Sequence, residues 1–386
     1  PDRGARGDIA RIVANNLNRS GVFKVLSQAE YPAQPHYSTQ VSYPRWRGLG
    51  MEYLVIGRVL NKNDGLLDVQ FQLLDVLKQK QLLGYSFPVR LRNLRSTAHE
   101  ISDLIYEKIT GVPGAFNTRI AYISALQNQA RKYVLQVADT DGFNPQTVLE
   151  SDEPLMSPSW SPDGESLAYV SFDGNRSSIR IQTLRTGNFI EVSKRPGING
   201  APSFSPDGRK LVVTQGGVDG NLDIYVLDIN SRRTQRLTTH RAIDTEGSWS
   251  PDGRYIYFTS DRSGGPQIYR VPVDGGTPER VTFEGSYNAR PRLSPDGEKL
   301  AMVHLDRGNY RIAVMDLDRK DLLVLSTGAQ DESPSFAPNS DTLIYATRQG
   351  RDGVLESVTA DGLIRQRLAS GQGDVREPVW SPFQRF

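Results

Sequence analysis

From Arg119 onward the chain alternates apolar and polar residues in short runs, the period of strands that bury one face. Leu167-Ala168-Tyr169-Val170, then Ile179 to Leu184, then Phe189 to Val192 make one such group, and each run predicts a strand. Ahead of the group stands a short phrase that recurs with every group. It reads SWSPDG from Ser159 to Gly164, SFSPDG from Ser203 to Gly208, SWSPDG from Ser248 to Gly253 and RLSPDG from Arg292 to Gly297. It recurs as SFAPNS from Ser335 to Ser340 and VWSPF from Val379 to Phe383. The residue before each proline falls at 161, 205, 250, 294, 337 and 381, in steps of 44, 45, 44, 43 and 44. A period of that length predicts four-stranded propeller blades.

The phrase itself is a turn. Pro162 sets φ for the first central position, and Asp163-Gly164 supply the polar and φ > 0 positions that close a hairpin. Trp160, Phe204, Trp249, Phe336 and Trp380 precede these turns and are expected on innermost strands, packed between neighbouring blades. The sixth phrase lies too near Phe386 to begin a blade of its own. Arg119 to Ser124, Tyr133 to Val137 and Gln146 to Leu149 resemble the second, third and fourth strands of a blade whose first strand is absent. The C-terminal strand is expected to fill that gap, giving a ring of six blades with no open sheet edge.

A different pattern precedes the repeats. Ile9, Ile12, Val13 and Leu17 mark one face of a helix ending near Ser20-Gly21. Tyr53 to Leu60, a turn at Asn61-Lys62-Asn63-Asp64-Gly65, Leu66 to Leu77 and Leu82 to Val89 predict an antiparallel meander. A second helix is predicted to open at Thr97, with Glu100 completing a capping box, and to stop at Gly111. The expected fold is therefore mixed: a small N-terminal α/β domain over 1–112, a linker over 113–116, and a six-bladed propeller over 117–386 closed by its C-terminal strand.

Composition adds little beyond exclusions. The 386 residues carry a formal net charge of +2 with 23% charged residues, too balanced to indicate a nucleic-acid partner, and Arg90, Arg92 and Arg95 are read as a solvated face. No stretch is apolar enough for a membrane span, and the absence of cysteine excludes disulfides and thiolate metal sites. GxSxG, HExxH, Walker-type, GxGxxG and EF-hand patterns are all missing. His36, His99, His240 and His304 are scattered and read as structural or surface residues.

Recognition is then expected at the loops that enter the innermost strands, around one mouth of the channel. These loops are polar and differ from blade to blade: Asn199-Gly200-Ala201, Asp244-Thr245-Glu246, Asn288-Ala289-Arg290, Gln330-Asp331-Glu332 and Asp374-Val375-Arg376-Glu377. Loops joining second and third strands, such as Phe172 to Ser178 and Gly216 to Asn221, open on the same face. Loops on a rigid scaffold are where binding residues concentrate. Two other readings stay open: a propeller hydrolase using Asp244, Glu246 and Asp331, and a scaffold holding Ca²⁺ through mouth carboxylates, which Arg290 and Arg376 would instead neutralise.

Several segments resemble the TolB family, periplasmic propeller proteins of the Tol-Pal system. They are Leu17 to Phe23, Glu107 to Gly111 with Gly114-Ala115-Phe116, Asn199 to Pro202, Ser260-Asp261-Arg262, Ala346 to Gln349 and Gly373 to Pro382. The resemblance covers nearly the whole chain. It implies a non-enzymatic periplasmic adaptor that binds the lipoprotein Pal through the channel-mouth face and supports outer-membrane integrity and constriction at division. Ala201, Thr245 and Glu246 carry over as Pal-binding positions, within the loops that include Asn199, Gly200 and Asp244. Asn288, Arg290, Asp331, Glu332, Arg376 and Glu377 follow by repeat equivalence. Colicin segments that imitate Pal use this face in some relatives, and no cofactor is implied. Members also carry a flexible segment that binds TolA and a first strand; here Pro1-Asp2-Arg3-Gly4 leads almost directly into the first helix, so the TolA site falls on no residue of this chain and one position in the meander's sheet is expected to stand unpaired.

Overall fold

The computed structural model describes residues 8–62, 65–126, 132–216, 220–369 and 373–384. Pro1 to Gly4, Asn63-Asp64 of the first expected turn, and residues 217–219 of one expected mouth loop lie outside them. The chain divides into two compact units, Pro1–Asn117 and Thr118–Phe386.

In the first unit, α1 (Ile9–Arg19) begins at Asp8, whose carboxylate accepts the Arg11 N–H at 3.0 Å. Three antiparallel strands, β1 (Tyr53–Asn61), β2 (Leu66–Asp75) and β3 (Lys80–Arg90), form a sheet in the order β1-β2-β3. Between α1 and β1 lies α2 (Tyr43–Gly48), which the apolar pattern did not predict; its buried Trp46 meets Tyr31 edge-on. The long helix α3 (Leu94–Thr110) packs with α1, and Ile12, Val13 and Leu17 share a core with Val69, Phe71, Leu73, Ala98, Ile101 and Ile105.

The expected start of α3 is corrected. The helix opens three residues earlier, at Leu94, continuing from a single 3-10 turn over Leu91–Asn93. Thr97 does not cap it: the Thr97 hydroxyl donates backward to the Asn93 carbonyl at 2.9 Å, a bond available to a threonine inside the first turn. The helix ends as its sequence predicts, with Gly111 left-handed at φ +79°.

Among the described residues, the second unit forms six four-stranded antiparallel sheets. Their inner strands are Leu155–Trp160, Asn199–Phe204, Asp244–Trp249, Asn288–Leu293, Glu332–Phe336 and Asp374–Trp380. The last of these pairs antiparallel with Arg119–Leu126, from Asp374 opposite Ala125 to Trp380 opposite Ile120. Each inner strand packs against the inner strand of the next sheet, and Asp374–Trp380 packs against both Glu332–Phe336 and Leu155–Trp160. Apolar faces of successive sheets share cores, as where Ala168, Ile179 and Ile181 meet Leu211, Val213 and Leu227. Burying a side chain of this size stabilises by roughly 1.5–3 kcal/mol.

The four SPDG copies of the phrase build one and the same turn, the fifth closes it from Ser340 to Ala337 without the serine–aspartate bond, and residues 381–384 of the sixth form no turn. Gly164 donates to the Ser161 carbonyl at 2.9 Å with φ +72°, while the Ser161 hydroxyl donates to Asp163 at 2.5 Å. The aromatic residue before the turn links neighbouring sheets: Trp160 Nε1 donates to the Val379 carbonyl at 3.2 Å, and Trp249 Nε1 to the Ser203 carbonyl at 3.0 Å.

Candidate partner-binding site

One feature of the inner strands recurs in all six sheets. Ser157, Ala201, Glu246, Arg290, Ser333 and Glu377 each adopt positive φ, between 46 and 58°. At each of them the pairing with the second strand slips, as between Met156 and Ser159 or between Thr245 and Ser248. These are β-bulges, which leave one residue unpaired and re-aim its side chain and N–H. The freed N–H groups reach toward the preceding sheet. Glu246 N–H donates to Thr214 Oγ1 at 3.2 Å, Arg290 N–H to Thr259 Oγ1 at 3.0 Å and Glu246 Oε2 at 3.1 Å, and Ser157 N–H to Glu377 Oε2. Left-handed backbone is costly for residues other than glycine, and these inter-sheet bonds offset that cost.

The bulges bring Glu246, Arg290 and Glu377 together. Arg290 Nε lies 2.7 Å from Glu246 Oε1, and its terminal nitrogen lies 3.7 Å from Glu377 Oε1; its other terminal nitrogen donates to Ser333 Oγ. Burial works to lower the Arg290 pKa, but Glu246, Glu377 and Glu332 outweigh it and hold the group above its ordinary value. Burial raises the Glu377 pKa, against the opposing pull of Arg290 and the Ser157 N–H.

The other expected site residues divide by accessibility. Asn199, Asp244, Asn288 and Asp331 are at most 1% exposed, and their side chains are committed internally. Asn199 accepts from Ser193 and donates to the Ser177 and Arg195 carbonyls. Asp244 pairs with Arg262 at 2.7 Å, Asn288 donates to Gln267 Oε1 at 2.9 Å, and Asp331 accepts from Ser326 at 2.5 Å. These four anchor the entering loops and do not present a surface. Gly200, Ala201, Thr245 and Glu332 are half-buried, and Arg376 is exposed with its guanidinium held by Asp374 at 2.8 Å from Nε.

Two depressions meet at Glu246 and Arg290. One of about 370 Å³ is lined by Tyr287, Glu332, Arg348 and Arg376 among others, and one of about 800 Å³ by Ala201, Thr245, Ser157 and Ile198. Sequence reading missed the exposed apolar residues beside them, Met156, Ile198, Ile243 and Tyr310, which are 40–52% exposed. Each sits at the loop end of an inner or third strand; an apolar residue breaking a polar loop was the available signal.

Comparison with known proteins agrees with this architecture. The family model for the TolB β-propeller domain matches residues 106–384, and that for the TolB amino-terminal domain matches residues 2–82. The Tol-Pal system protein TolB of Xanthomonas oryzae pv. oryzae is 49% identical over 380 residues, covering 98% of this chain and 86% of that protein. Its counterpart from Xanthomonas campestris pv. campestris is also 49% identical over 380 residues, with the same coverage. The crystal structure of TolB from Acinetobacter baumannii superposes with a TM-score of 0.91 at 43% identity, covering 99% of this chain and 94% of that one. With family models spanning both units and relatives matched over almost its full length, the chain belongs to the TolB family of Tol-Pal system proteins.

Proposed function

We propose that the chain is a non-enzymatic periplasmic adaptor that binds the lipoprotein Pal through the mouth face of its propeller, supporting outer-membrane integrity and invagination during division. Membership of the family supports the partner. The observation that carries the face is the pair of depressions meeting at Glu246 and Arg290, with Met156, Ile198, Ile243 and Tyr310 exposed beside them. An apolar contact zone around fixed polar groups is how protein interfaces are built. In the same reading, the six four-stranded sheets are six blades of one ring, closed by the pairing of Asp374–Trp380 with Arg119–Leu126. Colicin segments that imitate Pal would use the same face, and TolA is a second partner that membership of the family suggests.

Chemistry at the mouth is disfavoured by how its acids are used. Asp244 and Asp331 are buried and bonded, and Glu246 is taken up by Arg290 and Thr259, so no hydrolytic pair is free. Arg262 and Arg290 occupy the Asp244 and Glu246 carboxylates that a Ca²⁺ ion would need, and the adaptor is read as having no resident cofactor.

Titration with the periplasmic domain of Pal tests the proposal. Wild type is expected to bind saturably. Thr245→Arg, which places a bulky charge in the larger depression beside Glu246, is expected to weaken binding at least tenfold while leaving the propeller folded. Glu165→Arg, exposed beside the SPDG turn on the opposite face, is expected to bind as wild type does. Ser177 is no suitable control, because its buried hydroxyl accepts the Asn199 N–H at 2.8 Å. A wild-type chain that does not bind, or equal losses in the two variants, overturns the reading.

A further inference from the structure

The two depressions that meet at Glu246 and Arg290 carry opposite charge. Arg176, Lys194, Arg195 and Arg290 line the larger one against a single acid, Glu246. The smaller one sets four acids, Glu246, Asp331, Glu332 and Asp374, against three arginines, Arg290, Arg348 and Arg376. Glu377, which shares Arg290, has Arg292 near it as a counter-charge, so those two leave the contrast unchanged. Lys194 faces Asp173 at 3.6 Å, but both side chains are exposed, and an exposed pair contributes little. Even with Asp173, and with Asp219 from the stretch 217–219 outside the described residues, counted against the larger depression, its cations remain in excess.

Arg176 and Arg195 supply that excess. Both are exposed, and among the described residues neither is paired with a carboxylate. Their backbone is pinned by the buried Asn199, whose amide donates to the Ser177 carbonyl at 3.1 Å and to the Arg195 carbonyl at 2.8 Å, and whose N–H reaches Ser177 Oγ at 2.8 Å. One side chain therefore ties the loop that carries Arg176 to the loop that carries Arg195. Inside this rim the wall is apolar, with Phe172 and Leu222 half-buried and Met156 and Ile198 exposed. Positive charge around an apolar depression favours an apolar side chain with acidic neighbours and disfavours one with basic neighbours.

The six inner strands repeat one bulge, so backbone shape alone offers a partner six similar orientations, and charge is what distinguishes them. Resting on the reading that the mouth face binds Pal, we propose that the larger depression takes an acidic segment of that partner. An apolar side chain of the segment sits against Phe172, Leu222 and Ile198, and Arg176 and Arg195 set the orientation in which it docks. The smaller depression, where acids outnumber cations, then faces a part of the partner that is not acidic. A lipid surface fits this site less well, because it would need apolar residues that project, and here they line a depression of about 800 Å³.

The test titrates the full chain with the periplasmic domain of Pal at about 50 and about 200 mM salt. Wild type is expected to bind more weakly at the higher salt. Arg176→Glu/Arg195→Glu should weaken binding about tenfold at the lower salt, mainly through slower association. Arg176→Gln/Arg195→Gln should lose less and show a flatter salt dependence, a change that a role in folding alone would not produce. Arg209→Glu/Arg233→Glu, the same charge change at exposed positions beside the second SPDG turn on the opposite face, should bind as wild type does. A wild-type chain that does not bind Pal removes the reading of the mouth face, and this inference with it. If wild type binds, three results overturn the inference alone: full binding by the charge-reversed variant, an equal loss in the Arg209/Arg233 control, or an unchanged salt dependence in the glutamine variant. Binding to phosphatidylglycerol vesicles that the reversal abolishes, with Pal binding intact, would likewise overturn it and assign the rim to a lipid surface.

Discussion

Arg290 Nε and Glu246 Oε1 lie 2.7 Å apart across two neighbouring sheets, and both residues stand at equivalent bulges with φ of +56 and +58°. The same Arg290 N–H also reaches Glu246 Oε2 at 3.1 Å. One carboxylate therefore binds both the side chain and the strained backbone of the next sheet. Replacing Arg290 by Met leaves Glu246 and Glu377 facing each other without their cation. Because the three side chains are 13–27% exposed, the cost is expected at about 2–4 kcal/mol, below that of a fully buried pair. Glu246→Gln keeps an acceptor and should cost less than half as much. Urea denaturation of both variants gives the comparison, and a smaller loss for Arg290→Met would contradict the assignment.

The linker at the end of the first unit is held by a half-buried acid, Asp103. Asp103 on α3 accepts the Phe116 N–H at 2.7 Å and the Asn117 N–H at 3.0 Å. Burial pushes its pKa up to about 7, against the lowering effect of those two N–H groups and of Arg19, with Glu100 adding a smaller upward push. An acid with a folded pKa above its unfolded value binds its proton more tightly when folded. Its contribution is therefore fully present below about pH 4 and is lost as pH rises through about 7. The loss is expected at roughly 3–4 kcal/mol across that range, and Asp103→Asn should flatten it. Carboxyl NMR of Asp103 gives the direct reading: titration near pH 4 would refute it.

The propeller was legible because its repeat is carried by residues whose backbone roles are fixed. A proline in all six copies, a glycine in four and an aromatic residue in five, with Leu293 in its place in the other, mark the inner strands, so element positions follow from spacing. The bulges were less visible. Ser157, Ala201, Glu246, Arg290, Ser333 and Glu377 share a left-handed conformation but no side-chain chemistry, and none is glycine. The mouth loops were located, yet polarity alone could not separate Asn199, Asp244, Asn288 and Asp331, which are buried to hold backbone, from Thr245 and Arg376, which are accessible. Early α3 was missed because Leu94 to Ser96 carry no cap, and a helix continuing from a 3-10 turn needs none.

Acid should probe the SPDG turns separately from Asp103. Asp252 accepts from the Ser250 hydroxyl at 2.5 Å and from the Arg254 N–H at 3.0 Å, and these bonds, Ser250 first, hold its pKa down at about 2. For a depressed acid the sign reverses: the contribution is present above about pH 4 and is lost as pH falls through about 2. Ser250→Ala removes the main donor and should destabilise by about 1 kcal/mol at neutral pH. Thermal melts at pH 7 and pH 2.5 check it; the gap between variant and wild type should narrow at the lower pH.

Trp249 joins two sheets by both packing and hydrogen bonding. Its ring belongs to a core that includes Val212 and Ile224 of one sheet and Ile256 and Phe258 of the next, while its indole N–H donates to the Ser203 carbonyl at 3.0 Å. Trp249→Phe keeps most of the ring contact and orphans that carbonyl, for an expected loss of about 1–2 kcal/mol. Trp249→Ala adds a cavity and is expected to cost about 3–5 kcal/mol. The contrast assigns the two roles: if Phe costs as much as Ala, the hydrogen bond dominates, and if Phe costs nothing measurable in urea denaturation, the indole N–H contributes no net link between the sheets. Because the ring occupies the same place relative to the turn as Trp160 and Trp380, the outcome at Trp249 also sets the expectation for those two positions, where the donors run to Val379 and Thr118.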